Sequence, residues 1–147
     1  MTFKLRGPLE KDVQAWILAS LGVEQFELRQ SKNKRALQKF SLNVWLSPGQ
    51  IWWRANSGMI KAPSGAMLRM GCPGMADIMG SVQGRPVALE VKREGEHQNP
   101  AQRRWQAWAE AAGYVYAVVR SPGEARAVVS RVVERQLCEA WAEVLGG

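Results

Sequence analysis

The sequence predicts a small mixed α/β domain, and three observations carry that prediction. The chain has 147 residues, close to the length of one domain. Its local signals run in the order helix, strands, helix, strand, helix. Apolar residues make up 46% of the chain and charged residues 22%, which supplies a core and argues against intrinsic disorder. No run approaches the roughly 20 apolar residues of a membrane span, and Met1 to Pro8 lacks the apolar stretch of a secretory signal. A soluble, cytoplasmic, single-domain protein with no membrane partner is expected.

Each element has a local cause. The first helix starts near Pro8, carries Val13, Ile17, Leu18 and Leu21 as its apolar stripe, and stops at Gly22. Residues 29–39 hold Arg29, Lys32, Lys34, Arg35 and Lys39 without an acid, which reads either as a solvated face or as a phosphate-tracking arm. Phe40 to Leu46 and Ile51 to Arg54 are strand-like, separated by the turn Ser47-Pro48-Gly49. Residues 55–74 are rich in Gly and Pro and are expected to be mostly loop. Ala76 to Val82 and Pro86 to Val91 form a hairpin around Gln83-Gly84-Arg85. Asn99, Pro100 and Gln102 open a helix that runs to Ala112 and ends at Gly113. Tyr114 to Val119 is a buried strand, and Ser121 to Glu124 caps a last helix. That helix bears Ala125, Val128, Val129, Val132, Val133, Leu137 and Trp141 along one side.

Charge narrows the partners. Twenty Lys and Arg against 13 Asp and Glu give a net +7 and a pI near 9.9. That balance suits a polyanion, nucleic acid ahead of a membrane surface. Cys72 and Cys138 belong to no metal-ligand spacing and read as reduced thiols. His97, the only histidine, sits in a polar stretch and reads as a bystander. Trp45, Trp52, Trp53, Trp105 and Trp108 are candidates for base stacking, although the i, i+3 pair Trp105 and Trp108 reads as core.

The chemistry-bearing residues lie in the hairpin. Glu90 and Lys92 share a strand face, with Leu89 and Val91 packing the other way, and the hairpin brings Asp77 alongside Glu90. Two neighbouring carboxylates repel unless a cation sits between them, and hard oxygen ligands favour Mg²⁺ or Mn²⁺. With Lys92 beside them the set is complete for metal-assisted phosphodiester hydrolysis. A surface ion pair between strands, of little energetic weight, is the alternative. The apolar setting of Ala88-Leu89-Glu90-Val91-Lys92 favours the first reading, because unpaired charge there is costly. Arg54, Arg69, Arg93, Arg103 and Arg104 flank the site in sequence and are candidates for phosphate contact.

Three segments then resemble one family. Gly71-Cys72-Pro73-Gly74-Met75-Ala76-Asp77-Ile78-Met79-Gly80, Gly84 to Arg93 and Pro100-Ala101-Gln102 closely resemble the VRR-Nuc branch of the PD-(D/E)XK nucleases. Trp53-Arg54-Ala55-Asn56-Ser57-Gly58 is similar to that family's W-R-x-N-[ST]-G segment. Residues 112–121 resemble its closing helix–strand–helix, and the likeness covers most of residues 8–130. The resemblance implies a single restriction-endonuclease-like PD-(D/E)XK core, a central mixed β-sheet flanked by helices. It implies a Mg²⁺-dependent or Mn²⁺-dependent DNA endonuclease selective for branched DNA, leaving 5′-phosphates and acting as a homodimer on Holliday junctions. Asp77 and Glu90 would bind metal, with the Val91 carbonyl as a further ligand. Lys92 would position water, Gln102 would sit beside Lys92, and Glu10 would lie near the metal. Arg54 and Asn56 would meet DNA, together with the basic residues Lys32, Lys34 and Arg35. A less selective flap or single-strand nuclease and a non-catalytic nucleic-acid-binding subunit are the alternatives. The chain departs from the family pattern in a long basic segment at about 24–50 and a C-terminal helix extended over about 122–145.

Overall fold

The computed structural model describes residues 7–22, 24–27, 43–55 and 58–146. Three helices are present there, α1 (Glu10–Leu21), α2 (Pro100–Ala111) and α3 (Pro122–Gly146). The strands are β1 (Glu24–Glu27), β2 (Asn43–Ser47), β3 (Gln50–Arg54), β4 (Gly58–Lys61), β5 (Met67–Met70), β6 (Ile78–Val82), β7 (Arg85–Val91) and β8 (Val115–Val119). Six of them form one sheet in the order β1-β2-β3-β6-β7-β8, and β4 and β5 form a separate pair. Every neighbouring pair of the large sheet is antiparallel except β7 and β8, which are parallel. The chain is therefore α/β with a mixed sheet, as the sequence predicts.

Parallel β7 and β8 must be joined by a crossover, and α2 is that crossover. The antiparallel members are joined by tight turns. Pro48 and Gly49 connect β2 to β3, with Gly49 at φ +71°, the position of a type II turn that only glycine takes without strain. Gln83 and Gly84 connect β6 to β7, both at positive φ, which matches the right-handed twist of a two-residue hairpin.

The sheet buries both faces around β7. Val87, Leu89 and Val91 pack with Ile78, Val82 and Trp52 beneath α1 and α3, which contribute Ile17, Leu18, Ala125 and Val128. On the opposite face Ala88 packs with Ala76 and Met79, bordered by Trp105 of α2 and by Tyr114 and Tyr116. Trp105 meets both tyrosine rings edge-on or tilted, at centroid separations of 6.4 and 5.9 Å.

Several expectations need correction. Residues 55–74 hold, beside their loops, the paired strands β4 and β5, which the sequence reading did not separate; Pro63 and Gly65 lie in the turn between them. β1 and β2 lie within the basic segment at about 24–50; β1 is a short alternation of polar residues and one aromatic, too weak a pattern to read. Residues 28–42, with Lys32, Lys34 and Arg35, lie outside the described residues. Trp108 is not core but 63% exposed, because only the Trp105 side of α2 meets the sheet. In α3 only Ala125, Val128 and Val132 are buried, whereas Leu137 and Trp141 are exposed, because the helix outruns the sheet that covers its first turns. Among the described residues no helix is long and apolar enough to cross a membrane.

Gly80 is the tightest packing point of the central hairpin. It lies opposite Trp52 in the register, and Trp52 is fully buried. A Cβ at Gly80 would collide with Trp52 Cε3 and lie 2.6 Å from the Ile51 carbonyl oxygen. Gly80→Ala is therefore expected to cost about 2–3 kcal/mol of stability through overpacking, read as a lowered denaturant midpoint at unchanged slope.

Candidate active site

The β6–β7 register builds the site. Ile78 pairs with Leu89 and Met79 with Ala88, so the next step outward sets Asp77 opposite Glu90. Asp77 does not lie within the strand, as expected from sequence, but immediately before it. Its backbone still extends the ladder, accepting a hydrogen bond from the Ala55 amide at 2.8 Å. The Asp77 carboxylate accepts a second one, from the Val91 amide at 2.8 Å. That bond across the hairpin turns its side chain toward β7.

Glu90 and Lys92 share the α2-facing side of β7. Glu90 has no solvent exposure and Lys92 only 9%, so the alternative of a surface ion pair is excluded by burial. Lys92 Nζ lies 3.6 Å from Glu90 Oε1. Gln102 donates from Nε2 to the same oxygen at 2.5 Å. Glu90 Oε2 is buried and has no hydrogen-bond donor among the described residues. An ionised oxygen left so in the interior costs free energy unless something positive meets it.

Gln102 does two things at once. Its Oε1 accepts from the Asn99 amide and its own amide donates to Asn99 Oδ1, both at 2.9 Å. This reciprocal box fixes the first turn of α2 and leaves Nε2 for Glu90. Gln102 thus reaches Glu90 itself, and through it the neighbourhood of Lys92. The loop before Asp77 holds α2 in place from the other side. Gly74 has φ +80°, and a Cβ there would collide with the Ala101 carbonyl and lie 2.7 Å from the Gln102 nitrogen. Gly74, the last residue of the Gly71-Cys72-Pro73-Gly74 run, is therefore a positioning residue for Gln102.

The electrostatics follow from burial. Glu90 is pushed up to about 8, first by desolvation and second by the charge of Asp77, with Lys92 opposing. Asp77 is raised as well, again by desolvation, while the Val91 amide holds it down. Burial thus pushes both carboxyl groups of this coupled pair above the usual carboxylate range. Glu10, at the start of α1, is raised by burial and then by Asp77, which sets it in the same field. Among the described residues no three His, Cys, Asp or Glu side chains converge as a metal-ligand group, so Glu10 borders the pair without joining it.

The basic residues divide. Arg54 donates to the Lys11 carbonyl at 3.4 Å, has a buried Nε without a partner among the described residues, and lowers Asp77 by its charge. Arg93 is exposed and is held by Glu96 through its side chain and its amide, so its charge meets an acid of its own loop. That pairing escapes a reading that counts only charges near the motif; the i, i+3 spacing across Gly95 was its signal. Arg103 donates to the Gln98 carbonyl at 2.7 Å, and both it and Arg104 are exposed on α2. Arg69 lies in β5 opposite Met59, and Asn56 is outside the described residues. His97 is exposed, and Cys72 and Cys138 are exposed free thiols.

The donor set fits a hard divalent cation. Two carboxylates, one with a buried and donorless oxygen, are what Mg²⁺ or Mn²⁺ takes from a protein when water and substrate phosphate complete the shell. No family model, no curated protein and no solved structure matches this chain.

Burial of the pair gives a pH signature. A carboxyl whose folded pKa lies above its unfolded value favours folding while protonated, so that contribution fades as pH rises from about 4.5 toward about 8. Glu90→Gln keeps the acceptor for Gln102 but removes the charge. It is expected to stabilise the metal-free protein at pH 8 by on the order of 2 kcal/mol and to leave it nearly unchanged at pH 4.5, read from melting curves at both pH values.

Proposed function

We propose that this chain is a metal-dependent endodeoxyribonuclease of the VRR-Nuc type, with a PD-(D/E)XK core, that cuts branched DNA. The observation that carries the reading is the buried Asp77–Glu90 pair, with Glu90 Oε2 lacking a donor and Lys92 at 3.6 Å from Oε1. The α2 crossover that carries Gln102 onto Glu90 supports this reading.

Asp77 and Glu90 would hold Mg²⁺ or Mn²⁺, with the Val91 carbonyl as a further oxygen. The ion would supply Lewis-acid stabilisation of charge on the phosphoryl oxygens. Lys92 holds a water by hydrogen bonding and steadies its developing hydroxide character. The water oxygen forms the new bond to phosphorus while the bond to the 3′ oxygen breaks, leaving a 5′-phosphate and a 3′-hydroxyl. Gln102 keeps Glu90 in one rotamer through this step, and Arg54 supplies positive charge beside Asp77.

Symmetric cleavage of a junction needs two active sites, and we assign the second to a second copy of this chain. The support is the far half of α3, where Leu137, Trp141, Val144 and Leu145 are 55–81% exposed at helical spacing. Gln136 ties that helix to the Gln83 carbonyl at 3.1 Å, which fixes its direction from the body.

Two experiments test this. A labelled four-way junction, a flap and a linear duplex are incubated in Mg²⁺, Mn²⁺ and EDTA. Paired nicks on the junction are expected, abolished by EDTA and lowered at least about 100-fold by Lys92→Ala; nicks that persist in EDTA, or that the variant leaves intact, contradict the proposal. Sedimentation of Leu137→Glu/Trp141→Glu is expected to give half the wild-type mass at unchanged helicity, and an unchanged mass contradicts the α3 contact.

A further inference from the structure

The β4–β5 hairpin has no task in the chemistry above. It leaves and re-enters the large sheet at the site itself. Arg54 is the last residue of β3 and pairs with Ile78, and the Ala55 amide bonds the Asp77 carbonyl. Everything between is an excursion whose stem is clamped one residue from the carboxylate pair. Among the described residues β4 and β5 meet each other and no other element more than marginally.

Its tip is closed by two backbone hydrogen bonds. The Ala62 amide donates to the Ala66 carbonyl and the Gly65 amide to the Ala62 carbonyl, both at 2.8 Å. Pro63 and Gly65, the latter at φ +86°, set the turn. Met67 is 56% exposed and Leu68 49%. Met67 pairs with Lys61 in the register, so the two share a face of the ribbon, with Leu68 on the other. Lys61 is exposed.

The excursion carries charge of one sign. Residues 55–76 hold Lys61 and Arg69 and no Asp or Glu, and Arg54 stands just before them. A stiff β-ribbon with cations and exposed Met, Leu and Pro matches the chemistry of proteins that enter a groove and press apolar side chains between bases.

We propose that the β4–β5 hairpin is a DNA-gripping arm, with Lys61 on phosphate and Met67 and Leu68 wedged against bases left unstacked at a branch point. Its placement beside the scissile bond rests on the nuclease reading, whereas its DNA contact does not. An anionic membrane surface would attract the same charges, but the stem opens at Asp77, where a phosphodiester would lie.

The test uses the full chain in EDTA, with a four-way junction carrying 2-aminopurine at the branch and a linear duplex carrying it internally. Wild type is expected to brighten the junction probe several-fold at saturation and to leave the duplex probe dark. Met67→Ser/Leu68→Ser, with an unchanged melting temperature, is expected to lose at least half of that gain and to bind about tenfold more weakly. Lys61→Ala is expected to keep the gain and to reduce the salt slope of binding by about 0.9. A silent wild type, a double variant equal to wild type, or binding only to anionic vesicles overturns the arm. Parallel cleavage in Mg²⁺ separates the two claims. Unstacking without any cleavage sinks the nuclease reading and keeps the arm, and equal cleavage by all variants without unstacking does the reverse.

Discussion

Two carboxyl groups forced together out of water are the constraint on which the structure depends. Asp77 and Glu90 face each other because the β6–β7 register allows no other pairing, and Glu90 is buried because β7 is covered on both faces. Left to itself this pair works against folding, since each charge loses solvent and meets its like. A fold keeps such an arrangement when the surrounding contacts over-determine it and something positive completes it. The surroundings here are the Val91 amide on Asp77, and Gln102 and Lys92 on one oxygen of Glu90. The other oxygen, Oε2, is the opening.

Much of the rest of the domain serves to hold that geometry. The parallel β7–β8 pair requires a crossover, and the first turn of the crossover helix carries the residue that touches Glu90. Because Gln102 also closes the capping box, the start of α2 cannot shift without releasing the carboxylate. Gly74 presses the preceding loop onto the same turn of α2, so the loop that delivers Asp77 and the helix that delivers Gln102 are packed as one piece. Trp52 beneath Gly80 locks β3 to β6 on the opposite face. Stability and site geometry therefore run through the same few contacts.

What the sequence made legible follows from which forces are local. The α2 cap and the Pro48-Gly49 turn are decided within four residues and appear as read. The turn read at Gln83-Gly84-Arg85 is one residue shorter, because Arg85 already pairs with Val82, and that two-residue loop sets Asp77 opposite Glu90. The apolar neighbours of Glu90 also signalled burial, although not that α2 covers it. The β4–β5 hairpin was missed because its Gly and Pro are turn residues of a ribbon, and composition alone does not separate ribbon from loop. Trp108, Leu137 and Trp141 continue a helical period past the point where the body ends, which periodicity cannot locate. The Arg93–Glu96 pair was hidden because charge counting does not say which cation an acid will meet.

The most direct measurement is Mn²⁺ binding followed by electron paramagnetic resonance in the absence of DNA. Free Mn²⁺ signal is expected to fall on adding wild-type protein, and to recover with Asp77→Asn or Glu90→Gln when both variants keep the wild-type fold. Equal binding by wild type and both variants, or none by the folded wild type at millimolar Mn²⁺, would contradict the claim that this buried carboxylate pair is a cation site.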